Sequence, residues 1–492
     1  RMIYNAENDG ARLSERNAQE EHKAVDADYV AATNAFDDVL IDEEMEKMTI
    51  MTRSDRFGRM PEAVTAEDKV ASDELIAALQ KYEFEADPDA EMPTLGADNG
   101  LNLIDMRGLD YEDPAWDSLL DQLTVDDMLK LVEFGYGTEE ITSINAPSTY
   151  AADSPQCLQY AYWSGVGGAD SELLNAYPCL TVIACTWNMP LAHEMGDAIG
   201  EEAVQWGVAG WYAPGLNLHR SPFGGRNFEY FSEDPVISGE MCAAVMSGAS
   251  DKGLLGYVKH FALNDQESFR QGYLYAINNG VCTWADEQTI RELYLKPFET
   301  VVKESKMTVN YIKDTNGNWG QRTMSNCVTV MSSFNRIGSV WAGGSYGLLT
   351  QILRNEWGFR GQVMTDFRNT QKAGGNYYYM DKDEMLAAGG DSILATTVDR
   401  VGDPWLDTES ATAVLRLRNA SKNVLYAIVH SNGMQGIAPG SIINTSLAGW
   451  QIVLIIANVV IYAAIVGGIV WIVLRALDAK KHPERYASKS ND

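Results

Sequence analysis

From about residue 112 onward, short apolar runs rich in β-branched residues alternate with longer stretches of helical periodicity. This pattern constrains the fold more than any other feature of the chain. The candidate strands are "CLTVIACTW" (179–187), "GWYAPGLNL" (210–218), "LLGYVKHFAL" (254–263), "CVTVMSSFN" (327–335), "GQVMTDF" (361–367) and "GDSILAT" (390–396). Helical periodicity falls between and after them, at 190–206, 235–250, 286–304, 346–356 and 408–429, and "DPAWDSLLDQLTVDDMLKLVEFG" before them reads as one amphipathic helix with Leu119, Leu123 and Leu129 on its apolar face. Alternating β and α segments mean a parallel sheet, and the length suits an α/β fold of the (β/α)8-barrel type. A doubly wound sheet is the alternative, but no G-x-G-x-x-G follows any of these strands.

In such a barrel the reactive side chains sit where strands end. Here "YVKH" ends on Lys259 and His260, "LNLHRSPFGGRNFE" carries His219, Arg220 and Arg226, and "VMTD" ends on Asp366. A lone aspartate after a strand is ordinarily a turn or helix cap. Polar residues recurring after several separate apolar runs point instead to a site.

The ends of the chain read differently. Residues 1–110 form an acidic, polar appendage, with loop punctuation at 85–100 and little that closes a core alone. The barrel is expected over 111–432, with a linker at 433–449. From Ser431 to Leu474 no residue is charged, and 450–474 is almost wholly apolar, about 37 Å long as a helix and enough to cross a bilayer. The tail 475–492 carries Arg475, Lys480, Lys481, Arg485 and Lys489. By the positive-inside rule it is cytoplasmic, which puts the barrel outside a cell membrane crossed once. No apolar leader precedes the barrel, and the sequence opens on Arg1; an upstream continuation is expected.

The 492 residues carry a net charge of −31, which argues against nucleic acid and polyanions as partners and leaves neutral or cationic substrates open. Six scattered cysteines form no C-x-x-C pair, so zinc-ribbon and dithiol readings fail on spacing.

With these residues in view, the stretch from about 115 to 430 resembles the barrel domain of glycoside hydrolase family 3, home of many β-glucosidases. The matching motifs, in order, are "APGLNLHRSPFGGRNFEYFSEDPVISGE" (213–240), "VKHFALNDQESFR" (258–270), "DEQTIRELYLKPFE" (286–299), "VMSSFNRIG" (330–338) and "LRNEWGFRGQVMTDF" (353–367). The resemblance implies that Asp366 is the nucleophile of a retaining exo-β-glycosidase. It implies that Asp153, Arg226, Lys259, His260, Arg270 and Met331 hold the terminal sugar, with no metal or organic cofactor. A retaining glycosidase needs an ionised carboxylate to attack the anomeric carbon, and cations nearby keep it ionised while donating to sugar hydroxyls. Trp187, Trp284 and Trp341 are candidate stacking platforms, though each is more often core. Glu229, Glu233 and Asp234 are read as ion-pair or cap residues, and His219 and Arg220 as site wall or scaffold.

Four features depart from the family pattern. Its Asp-Gly-Pro is Asp153-Ser154-Pro155 here, its tyrosine after Ser-Ser is Phe334, and its tryptophan after the nucleophile is Phe367; 308–326 looks like an insertion at the barrel rim. The histidine used by the N-acetylglucosaminidase subgroup is absent from "KHFALND". The family's general acid/base usually comes from an α/β-sandwich after the barrel, where this chain has its apolar run. Residues 34–61 resemble the segment joining a sandwich placed before the barrel, so the acid is expected from an upstream domain of the same polypeptide. The rival readings are a surface carbohydrate-binding protein that has lost hydrolysis, and a structural membrane protein in which Asp366 and Lys259 lie far apart.

Overall fold

A computed structural model describes residues 34–48, 70–79, 82–133, 135–159, 175–268, 270–271, 280–368, 379–395, 405–441 and 449–486. The chain divides into two units, one ending at Ser441 and one running from Ile442.

In the first unit the strands are β1 (Gly137–Thr138), β2 (Thr149–Asp153), β3 (Gly210–Tyr212), β4 (Leu255–Gly256), β5 (Val258–Phe261), β6 (Cys282–Thr283), β7 (Met307–Ile312), β8 (Trp319–Met324), β9 (Thr329–Ser332), β10 (Arg336–Ile337), β11 (Val340–Trp341) and β12 (Gln362–Met364). Parallel pairing runs β2 to β3 to β4, then β5 to β9 to β12, and a parallel bridge joins Met364 to Ser392. A further parallel bridge, Gly215 to Lys259, ties the two sheets together. Next to the Met364–Ser392 bridge the Ile393 amide donates to Val132 O in the helix Val125–Glu133, and at the other end of the wall β1 pairs antiparallel with β2. Among the described residues the wall is therefore six parallel segments (β2, β3, β4–β5, β9, β12 and 392) and one antiparallel segment. The eight parallel strands expected are not reached among these residues.

Every strand in this wall is short and, apart from Tyr150 and Asp153 of β2, buried, and alternation divides the side chains between two layers. Tyr212, Tyr257, Met331 and Met364 join the cluster that also takes in the helix Ala411–Val429. Trp211, Val258, Val330 and Val363 face the surrounding helices. The helices Met189–Trp206 and Pro235–Asp251 match their expected stretches and approach so closely that a Cβ on Gly196 would lie 2.0 Å from Val245 O, and one on Gly248 2.0 Å from His193 O.

Several elements depart from the sequence expectation. The stretch 179–187 is a helix, Leu180–Cys185, burying Leu180, Ile183 and Ala184 at helical spacing while leaving Val182 and Cys185 exposed. A short apolar run has no periodicity of its own to separate strand from helix, and here packing decided. The first-strand position is filled instead by Thr149–Asp153. The expected single helix at 112–134 is two, Ala115–Leu120 and Val125–Glu133. Thr124 restarts the helix with a reciprocal cap: its hydroxyl accepts from Asp127 N (3.2 Å) and Asp127 Oδ2 from Thr124 N (3.1 Å). Leu119 and Leu123 are buried as expected, whereas Met128, Leu131 and Val132 replace Leu129 in the core. The helix expected at 286–304 contains a π turn at Ile290–Tyr294, and that expected at 346–356 is π-helical over Gly347–Glu356.

The stretch 308–326 forms the antiparallel hairpin β7–β8. It leads into the start of β9, so it occupies the rim at the N-terminal ends of the strands, opposite Asp366. Parts of the acidic appendage are built into the same unit. Phe36 is buried in the helix-facing layer, Ser339 N donates to Val39 O (3.0 Å), and Leu103, Ile104 and Met106 pack in the cluster of the helix 411–429.

In the second unit, Gly449–Lys481 is one helix long and apolar enough to cross a membrane. None of its residues is buried against protein. Arg475 lies over the Trp471 ring at 5.1 Å near its basic end.

Candidate active site

Asp366 follows β12, its amide donating to Ser332 O at the end of β9 (3.1 Å). Its Oδ1 accepts from the amide of the next residue, Phe367 (2.6 Å), which orients the carboxylate. The residue is 8% exposed, and Oδ2 has no hydrogen-bond partner among the described residues. A buried carboxylate oxygen without a donor costs free energy, and such atoms in a cleft mark places where a ligand belongs.

The group facing that oxygen is His260, whose Nε2 lies 3.7 Å from Oδ2. Burial, with Arg226, Lys259 and Arg270 around it, drives the imidazole pKa well below its ordinary value. The contact is thus not an ion pair. Asn217 fixes the backbone at this point, its Oδ1 accepting from His260 N (2.7 Å) and its Nδ2 donating to His260 O (3.0 Å). The ring Nδ1 has Tyr230 Oη and Asn217 Oδ1 each at 3.3 Å. The tautomer that suits the carboxylate accepts a hydrogen bond from the Tyr230 hydroxyl at Nδ1 and turns Nε2–H toward Asp366.

Lys259 organises the other wall. It is 4% exposed, with Nζ 3.2 Å from Asp153 Oδ1 and 3.8 Å from Glu229 Oε2. Glu229 in turn holds Arg226 through Nε. Burial pushes the Asp153 carboxyl up, but Lys259, the Ser154 amide (2.7 Å from Oδ1) and Arg226 outweigh it and hold it below the ordinary range. Arg270 closes the ring from the segment after β5, with its guanidinium carbon 4.7 Å over the Phe334 ring and its Nη1 buried without a partner among the described residues.

The structure thus brings together Asp153, Arg226, Lys259, His260, Arg270 and Asp366, from four different strand ends. Met331 packs inside the wall beside this ring, with no polar role. Of the tryptophans, Trp341 is core, its Nε1 donating to Ser333 O (2.9 Å), which removes it as a platform. Trp187 is 74% exposed, and Trp284 is half-buried. Asp234 caps the helix 235–251. His219 Nε2 faces Asn227 O and Tyr230 O, and Arg220 lies over Tyr294, so both serve the scaffold. Asn217, Tyr230 and Glu267 have roles that sequence reasoning missed. No group of three or more His, Cys, Asp or Glu side chains disposed to hold a metal occurs among the described residues.

The sequence model of the glycosyl hydrolase family 3 N terminal domain matches residues 148–407, more than half of the chain and all of the site. The chain belongs to glycosyl hydrolase family 3. Among its family 3 relatives, β-glucosidase A of Butyrivibrio fibrisolvens is 37% identical over 48% of this chain and 24% of that protein. The exo-α-(1→6)-L-arabinopyranosidase of Bifidobacterium breve is 30% identical over 59% of this chain and 37% of that protein. Among solved structures, β-glucosidase 3B of Thermotoga neapolitana superposes with a TM-score of 0.52 at 29% identity, over 65% of this chain and 43% of that one. The β-glucosidase of Paenibacillus barengoltzii superposes with a TM-score of 0.55 at 26% identity, over 73% of this chain and 37% of that one. This chain therefore spans well under half the length of the relatives it matches.

Proposed function

We propose that this chain is the barrel of a retaining exo-β-glycosidase, β-glucosidase-like, that removes terminal non-reducing sugars. The observation that carries the reading is the unpartnered, buried Oδ2 of Asp366, set 3.7 Å from a neutral imidazole and ringed by Arg226, Lys259 and Arg270. Asp366 Oδ2 attacks the anomeric carbon, the bond to the leaving oxygen breaks, and that oxygen takes a proton from a general acid. Water then cleaves the glycosyl ester as the same group, now a base, accepts its proton. Asp153 accepts from adjacent hydroxyls of the sugar, while Lys259, His260, Arg226 and Arg270 donate to it.

The general acid is assigned to an upstream sandwich domain of the same polypeptide. Of the two further carboxylates near Asp366, Glu229 is paired with Arg226 and Glu267 with Arg270, so each already serves an arginine. The helix 449–481 is assigned to a single membrane crossing, with the barrel extracellular and the basic tail cytoplasmic. Trapping with a 2-fluoro-glycoside tests the nucleophile. The labelled peptide is expected to contain Asp366, and Asp366→Asn abolishes trapping; a label on any other residue overturns the assignment.

A surface sugar-binding protein is the second reading, favoured by the same engagement of both nearby carboxylates. An aryl glycoside with a very good leaving group needs no acid for the first step. A burst of aglycone supports the enzyme; binding without a burst supports the sugar-binding protein.

A further inference from the structure

We infer that Glu267 is a positioning residue, holding Arg270 flat against Phe334 so that its Nη1 is aimed at the bound sugar. The inference rests on the glycosidase reading above. Glu267 Oε2 lies 3.1 Å from Arg270 Nε, and the guanidinium carbon stands 4.7 Å over the Phe334 ring. A carboxylate on one edge and an aromatic face beneath fix a planar cation in both position and tilt. Nη1 is left buried and, among the described residues, without a partner. A buried charged donor in that state is costly, and a ligand oxygen removes the cost.

Glu267 is itself held. Its Oε1 accepts from Asn264 Nδ2 (3.1 Å). Its Cβ and Cγ pack beside Gly225, where an added Cβ would lie 3.7 Å from each, so the clamp is keyed to the loop that carries Arg226. Burial raises the Glu267 pKa against the opposing pull of Arg270 and Arg226, in keeping with an enclosed carboxylate. Phe334, in place of the family's tyrosine, offers Arg270 a ring face with no competing hydroxyl.

A double-mutant cycle on the whole chain tests this, using the dinitrophenolate burst from 2,4-dinitrophenyl β-D-glucopyranoside. Glu267→Gln is expected to lower kcat/KM for glycosylation about tenfold or more. Arg270→Met is expected to lower it further, and the double variant no further than Arg270→Met, with the Glu267→Gln thermal midpoint close to wild type. Losses that multiply, or a Glu267→Gln enzyme equal to wild type, overturn the clamp. So does rescue of Glu267→Ala turnover by azide with formation of a glucosyl azide, which would make Glu267 the acid/base. If the wild type gives no burst, the glycosidase reading has failed, and the same cycle is read on calorimetric binding of 1-deoxynojirimycin. Additive losses there, or no binding at all, overturn the clamp as well.

Discussion

Lys259 bears two carboxylates on one buried nitrogen, and its charge decides the state of its neighbours. Replacing it with methionine leaves Glu229 with Arg226, and Asp153 with the Ser154 amide and the more distant Arg226, while burial continues to raise the Asp153 pKa. Lys259→Met is expected to cost about 2–3 kcal/mol in urea unfolding at pH 7, since a buried charged group loses a partner. It also removes one of the three cations that, after burial, lower the His260 pKa, so the His260 resonances should titrate at a higher pH than in the wild type. Unchanged histidine shifts in Lys259→Met would contradict the electrostatic account. At this scale the sequence was informative about side chains that end strands, because a charged residue after an apolar run stands out. It was silent about Asn217, Tyr230 and Glu267, which are unremarkable polar residues until folding sets them against His260 and Arg270.

Elements were legible where periodicity was long and obscure where it was short. The helices 189–206, 235–251 and 411–429 each run for 17 residues or more, and all three were readable to within a few residues. The strands β2 and β3 have five and three residues, too few for alternation to register, so 149–153 went unread and 179–187 was misread as a strand. What the short elements lack in pattern they receive from contact. The helices 189–206 and 235–251 meet through Gly196 and Gly248, each touching a carbonyl oxygen across the interface. Gly248→Ala forces a methyl onto His193 O and is expected to cost about 2–3 kcal/mol, read as a fall in the chemical denaturation midpoint. A wild-type midpoint in that variant would mean the helices are not packed this closely. Asp234→Ala, which removes only the cap of the second helix, should cost about 1 kcal/mol and leave glycosylation by an activated substrate unchanged.

Across the whole molecule, buried titratable groups oppose one another, and the balance fixes how stability depends on pH. Burial pushes Asp265 up to about 7, Glu384 to about 8, and Asp383 and Asp391 to about 6. For each, the folded state holds a proton that the unfolded chain has released above about pH 4, so stability is lost as pH rises from there through the folded pKa. His260 and His430 work the other way. Burial lowers both, His430 to about 3, so the unfolded chain binds their protons below about pH 6.5 and stability is lost as pH falls. Between about pH 4.5 and 6 the folded state keeps protons on four carboxylates while the unfolded state gains them on two histidines, a balance that favours the folded state at the acid end. The net charge of −31 adds self-repulsion that grows in the same direction, toward alkaline pH. The unit ending at Ser441 should therefore melt higher near pH 5 than at pH 8, with a slope of about 1–3 kcal/mol per pH unit across the intervening range. Calorimetry from pH 4.5 to 8.5 reads this directly, and a midpoint that rises steadily toward pH 8 would mean that the buried carboxylates are ionised in the folded protein and paired more strongly than their contacts indicate.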